Sequence, residues 1–182
     1  MNYEEAVKSL KNAIPTASKE LLTSGKLNIS KLTPIIEKEK LRTEANKKVI
    51  EEINKFSSKN KAQNTATMVA AYDEKTGKIV VGKSVGEEIK LEMLDKRTVD
   101  FLKLKLGKDI EIGSKTKLCD NFVGGCGEVL AADQLIRDGV NPLDIKISQV
   151  YRPRNVYNKD ITNLPESAFV DTCANCVEVF KK

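Results

Sequence analysis

Hydrophobic positions fall at helical spacing through the first third of the chain. Tyr3, Ala6, Leu10 and Ile14 form one face before Pro15, and a second helical stretch carries Leu21 and Leu22 to Gly25. Beyond Pro34, residues 35–61 read as one helix or a pair of helices, with Val49, Ile50, Ile53 and Phe56 as an apolar stripe among lysines and glutamates. The period then changes. Thr67 to Asp73 and Lys78 to Gly82 are β-prone runs joined by Glu74-Lys-Thr-Gly77, which predicts a β-hairpin. Residues 87–112 fit two templates: Asp95 to Gly107 as a capped helix, or Leu102, Leu104 and Leu106 alternating with lysines as a strand. Residues 113–125 read as a loop. From Cys126 to Asp138, Val129, Ala132, Leu135 and Ile136 share one face of a predicted helix ending at Gly139. Ile145 to Tyr151 reads as a buried strand, 152–170 as a long loop, and Cys173 to Phe180 as a short helix. A helix between a hairpin and a later strand places the chain in the α/β class.

With 182 residues, 40% apolar and 31% charged, the chain has the balance of a globular domain. Its longest purely apolar run, Met68 to Tyr72, is far below the ~18 residues of a membrane span. No membrane role is expected. Asn2-Tyr3-Glu4-Glu5 offers neither a basic nor an apolar leader region, so no signal peptide is expected. The net charge of +5 is uneven. Residues 1–62 carry 13 Lys/Arg against 8 Asp/Glu, and residues 63–182 carry 18 of each. Such a surplus is usually a solvated helix face, and a basic arm for phosphate backbone is the sharper alternative. Five of the nine aromatics, Phe122, Tyr151, Tyr157, Phe169 and Phe180, fall in the last 61 residues.

Histidine is absent, which excludes Ser-His-Asp and Cys-His nucleophile systems and every zinc site built on imidazole. The chemistry that remains concentrates on four cysteines. Cys173 and Cys176 form C-x-x-C, and Cys126 opens C-x-E with Glu128. At helix starts, unpaired N–H groups and the positive dipole end favour thiolates. If the two helix starts converge, three thiolates could hold one zinc ion and leave its fourth position for water, with Glu128 as general acid/base. Cys119, seven residues before Cys126, could instead close a structural four-thiolate site, and Cys173 with Cys176 could form a redox pair. A catalytic zinc ranks above a structural zinc, and both above redox chemistry.

The order hairpin, C-x-E helix, strand, C-x-x-C helix resembles the zinc-dependent cytidine and nucleic-acid deaminase superfamily, whose signature is [H/C]-x-E followed by P-C-x-x-C. Gly124-Gly-Cys-Gly-Glu128 with Thr172-Cys-Ala-Asn-Cys176 is similar to the YwqJ-like deaminase toxins of bacterial polymorphic toxin systems. Thr172 stands where the superfamily has proline, and the separation between Cys126 and Cys173 exceeds that of compact cytidine deaminases. The resemblance covers about residues 44–182 and implies a cytidine deaminase-like three-layer fold, a mixed sheet with the zinc site at two helix N-termini. Residues 1–43 are then an N-terminal helical segment.

Carried over by residue, Cys126, Cys173 and Cys176 would bind Zn2+ and Glu128 would move the proton in attack on C4 of cytosine or, second, C6 of adenine. The resemblance further implies a nucleic-acid or nucleotide substrate, a cognate immunity protein as partner, and delivery as a bacterial effector into a target cell. Residues 87–112 could complete the sheet, and Arg152, Arg154, Tyr157 and Lys159 are candidates for substrate contact. The reading from a different class is a non-catalytic module with a structural zinc, binding nucleic acid or protein.

Overall fold

The computed structural model describes residues 29–180. The chain divides into two units, Met1–Glu44 and Ala45–Lys182, and the site lies in the second. The two helices expected before Gly25 fall outside the described residues.

The first described helix, α1 (Ile29–Asn54), starts earlier than expected and contains Pro34. Pro34 falls in its second turn, where a missing N–H forfeits a single hydrogen bond, so it does not break the helix. Ala45, Val49, Ile50 and Ile53 are buried, which is the apolar stripe read from the sequence, while Phe56 lies beyond the helix. A short helix, α2 (Lys59–Gln63), follows. Ser58 caps it by accepting from the Lys61 N–H at 3.2 Å, so residues 35–61 resolve as a pair of helices.

The hairpin forms as expected, from β1 (Met68–Asp73) and β2 (Ile79–Lys83). Its turn is closed by Asp73, whose carboxylate accepts from Lys75 N–H, Thr76 N–H and the Thr76 hydroxyl at 3.1, 3.3 and 2.7 Å. These bonds hold its pKa low although burial opposes them.

The ambiguous stretch 87–112 contains no strand. It forms two short 3-10 turns and α3 (Lys96–Leu106), capped by Asp95 on the Arg97 N–H. Helical period decides the matter: Val99, Phe101 and Leu102 are buried, whereas Leu104 is 74% exposed. The expectation that this segment completes the sheet is therefore wrong, and β5 (Phe169–Val170) does so from within the stretch read as a loop.

Helix α4 (Gly127–Arg137) starts at Cys126 and buries Val129, Ala132, Leu135 and Ile136, as expected. The strand predicted at 145–151 is broken into β3 (Ile145–Ile147) and β4 (Val150–Tyr151), both antiparallel to β1. Ile147 faces Ala71 and Tyr151 faces Met68, so four steps on one strand match three on the other. The surplus residue is a bulge. Ser148 repairs it: its N–H donates to the Ala70 carbonyl at 2.9 Å, and its Oγ accepts the Ala70 N–H at 3.0 Å. A short α5 (Pro153–Val156) and a terminal α6 (Ala174–Phe180) complete the described helices.

The five-stranded sheet runs β2-β1-β4-β5, with β3 beside β1 in line with β4, and every pairing is antiparallel. The class is α/β as expected, but the pairing is antiparallel throughout and not mixed: even the connection from β4 to β5, which contains α5, returns the chain antiparallel. Helix α4 lies on β1 and β2, and Ala71, Ala131, Ala132, Leu135, Ile136 and Ile145 pack together. A second cluster joins α3, α4 and α6 through Leu102, Val123, Val129, Cys176 and Val179. From α1, Asn46 accepts the Gln149 N–H at 3.0 Å and Lys48 donates to the Ile79 carbonyl at 2.7 Å.

The approach of α4 to β2 depends on Gly82. A Cβ there would overlap the Gly127 carbonyl oxygen and stand 2.6 Å from the Ala131 nitrogen, which is backbone and cannot yield. Gly82→Ala is expected to lower stability by about 3 kcal/mol, the upper range for overpacking a close-fitted contact, read as a lower urea midpoint. An unchanged midpoint would show that α4 can lift from β2 freely.

Candidate metal centre

Two helix starts converge at one end of the sheet. Cys126 is the N-cap residue of α4, with φ −76° and ψ 147°, so its side chain stands at the opening of the helix. Cys173 immediately precedes α6 and Cys176 lies in its first turn, the placement expected for C-x-x-C. The sulfur atoms of Cys126, Cys173 and Cys176 lie within 4.8 Å of one another, and Cys126 Sγ is 3.5 Å from Cys173 Sγ. Residues 47 apart in sequence are thus joined, as the spacing argument required. The cluster could hold a metal ion.

Backbone contacts fix both helix starts. The Gly125 carbonyl accepts from Val85 N–H at 3.0 Å and Gly86 N–H at 3.2 Å, tying the residue before Cys126 to the chain leaving β2. A Cβ on Gly125 would overlap the Gly86 carbonyl, so a bare backbone is needed there too. On the other side, Asn175, buried between the two C-x-x-C cysteines, accepts from the Thr116 hydroxyl at 2.6 Å and donates to the Asn121 carbonyl at 3.3 Å. The loop carrying those partners is closed by Gly113 N–H to Val123 O at 2.9 Å and Val123 N–H to Ser114 O at 2.8 Å.

Electrostatics within the cluster favour one charge and resist three. The thiols of Cys126 and Cys176 donate toward Cys173 and hold it well below the usual thiol range. By the same hydrogen bonds, together with burial, Cys126 and Cys176 are pushed up. A cation at the centre removes that competition, because coordinated thiols lose their protons outright.

Glu128 lies in the first turn of α4 and is only 4% exposed. Burial pushes its carboxyl up to about 7, and the Cys173 thiolate adds to the shift. It shares with Cys126 and Cys173 the wall of a cavity of about 670 Å³. Such a volume suits a small-molecule ligand.

Other expected residues fall elsewhere. Cys119 is half-buried and outside the sulfur cluster, so it is not positioned as a fourth ligand. Arg152, Arg154, Tyr157 and Lys159 do not line this cavity. Arg152 N–H bonds the Ala168 carbonyl at 2.8 Å and Tyr157 N–H the Pro153 carbonyl at 2.9 Å, so this stretch folds on itself around α5. The walls come instead from Asn64–Thr67 before β1, Lys83–Glu88 after β2, Asp120–Phe122 and Val170–Asp171. Their signal is topological: the start of β1 and the end of β2 lie at one end of the hairpin, and that end meets the start of α4. Phe122 is the lining aromatic, with Lys115 Nζ 5.3 Å from its ring centre.

No family model, curated protein or solved structure matches the chain significantly. Among the described residues no helix is long and apolar enough to cross a membrane.

Metal content separates the open from the closed site. One divalent ion per chain is expected by elemental analysis of wild type and Cys119→Ser, and a clear loss in Cys173→Ser. Loss of metal from Cys119→Ser would instead place Cys119 among the ligands.

Proposed function

We propose that the protein is a zinc-dependent hydrolytic deaminase of a nucleobase, cytosine before adenine. The observation that carries this reading is Glu128, a buried carboxyl on the wall of the cavity that also exposes two of three clustered thiols.

The donor set suits zinc. Thiolates at ~2.3 Å from a tetrahedral ion stand about 3.8 Å apart, close to the 3.5 Å between Cys126 and Cys173, with the third sulfur within 4.8 Å. Cys126, Cys173 and Cys176 would hold the ion, and three protein ligands are the pattern of catalytic and not structural zinc sites. Bound there, zinc supplies Lewis-acid activation of water.

The chain's own contribution centres on Glu128. A carboxyl raised toward neutrality can both accept and release a proton at working pH. Glu128 takes a proton as water adds to C4 of cytosine and returns it to the departing amine. The products are uracil and ammonia, and no electron changes hands. The cavity walls hold the base: Phe122 offers an aromatic surface, and Asn64, Thr65 and Ser84 offer neutral hydrogen-bonding groups.

The order of elements supports a cytidine deaminase-like fold. Hairpin, α4 across β1 and β2, a strand antiparallel to β1, and α6 carrying the second ligand pair follow the expected sequence. Use of the activity by a delivered effector that an immunity protein blocks extends the same resemblance and is proposed on that resemblance alone.

Glu128→Gln is nearly isosteric and keeps the ligands. It is expected to retain fold and zinc but to lose turnover by about 10²- to 10⁴-fold, the usual worth of a positioned acid/base, by mass-spectrometric detection of deaminated base. Equal conversion by wild type and Glu128→Gln would remove Glu128 from the chemistry. No conversion by folded, zinc-loaded wild type would leave the cluster as a structural site.

A further inference from the structure

The mouth of the cavity is strongly one-signed. Among the described residues, its charged lining consists of Glu87, Glu88, Asp120 and Asp171, with the buried Glu128, against one ammonium, Lys83. These carboxylates come from three separate segments: Glu87 and Glu88 follow β2, Asp120 lies in the loop before α4, and Asp171 follows β5. They therefore stand around the opening and not along one loop. All four are exposed carboxylate side chains. Asp120 has Lys115 at 3.9 Å, a long surface contact. Among the described residues, Glu87, Glu88 and Asp171 have no ion-pair partner.

The charge matters because of what a nucleobase brings with it. A nucleoside is uncharged around its sugar, a monophosphate adds up to two negative charges, and a polynucleotide adds one per residue. Any phosphate attached to a base in the cavity must pass or lodge near the opening, within the ~8 Å over which exposed charges act at physiological salt. Phosphate sites use arginine, lysine or clustered N–H groups, and the mouth supplies a single lysine. Among the described residues, no lysine before Lys83 lines the cavity.

We propose that Glu87, Glu88 and Asp171, with Asp120, form a collar that rejects phosphorylated substrates, so that the site takes its base as an uncharged nucleoside or free base. This rests on the deaminase reading. It also narrows it, because the collar selects against nucleotides and nucleic acids of the same base.

The test is steady-state conversion by the zinc-loaded full chain of cytidine, deoxycytidine, deoxycytidine monophosphate and a single-stranded oligonucleotide at low and high salt. Wild type is expected to favour nucleoside over monophosphate by about tenfold or more in kcat/KM at low salt, and less at high salt, as repulsion between exposed charges is screened. The triple variant Glu87→Gln, Glu88→Gln, Asp171→Asn is expected to narrow that preference at least threefold. A wild-type rate on monophosphate or oligonucleotide equal to or above that on nucleoside, abolished by Glu128→Gln, would overturn the collar and leave the deaminase reading standing. A preference that the triple variant does not narrow would also overturn the assignment to these residues. If folded, zinc-loaded wild type converts none of the four, nor free cytosine, adenosine or deoxyadenosine, the deaminase reading itself fails and the collar with it.

Discussion

The structure depends on the bare-backbone contact between β2 and the first turn of α4. At Gly82 a Cβ would collide with the Gly127 carbonyl oxygen, and at Gly127 it would stand only 3.1 Å from the Val69 side chain, so the two main chains meet through bare backbone. Once they meet, Cys126 is carried to the sheet's end and Glu128 is driven into the interior. The Gly125 carbonyl, receiving two N–H groups from Val85 and Gly86, fixes the height of the helix. At its other end, the Arg137 guanidinium bonds Asp133 at 2.7 Å and the Met93 carbonyl at 2.9 Å, while Asp133 accepts the Asp95 N–H at 2.7 Å. Asp133 is 4% exposed and its charge is met by those donors, which is the condition for burying a carboxylate at tolerable cost. The helix is thus clamped at both ends, and the residues in its first turn have little freedom left.

That rigidity holds three thiols and a buried carboxyl together at one point. Three thiols within 4.8 Å of one another favour one charge and resist three, and among the described residues no lysine or arginine forms an ion pair with Glu128 beside them. A cluster that collects acidic groups and leaves them uncompensated is matched to a cation from outside. The same burial that gathers the three thiols raises the Glu128 carboxyl, so the candidate ligand set and the raised carboxyl are products of one arrangement.

What the sequence made legible follows from the range of its signals. The hairpin, the face of α4 and the helical starts at Cys126 and Cys173 are written in local spacing, and the structure returns each of them. The convergence of Cys126 with Cys173 and Cys176 was a condition of the zinc reading, which stood beside a four-thiolate site with Cys119 and a Cys173–Cys176 redox pair, and the structure brings the three sulfurs together. The fate of 87–112 was not. Leu102, Leu104 and Leu106 alternate as a strand would, yet the environment of Leu102, buried against α6 residues, and of Leu104, in solvent, is set by tertiary packing. The bulge at Ser148 was hidden as well, since a run of β-prone residues carries no mark of where the register slips. Candidate substrate residues were sought in the longest polar loop, whereas the cavity walls are the short flanks of β1 and β2. Their position becomes visible only when the hairpin and α4 are placed together.

Net charge gives a further case of scale. Summed over the chain it is positive, which invites an anionic partner, and the excess resides in residues 1–62. Over residues 63–182 the sum is zero, but zero is an average of opposite regions. Lys75 and Lys78 sit at the hairpin turn, paired with Asp144 at 2.7 Å and Asp138 at 3.2 Å. At the other end of the same strands, Glu87, Glu88 and Asp171 stand without such partners around the opening to Glu128. Exposed charges are screened within about 8 Å, so what approaches this opening meets the local carboxylates and not the net charge summed over the chain. If the site is the proposed deaminase, that local sign, and not the sum, sets which form of a base can reach Glu128.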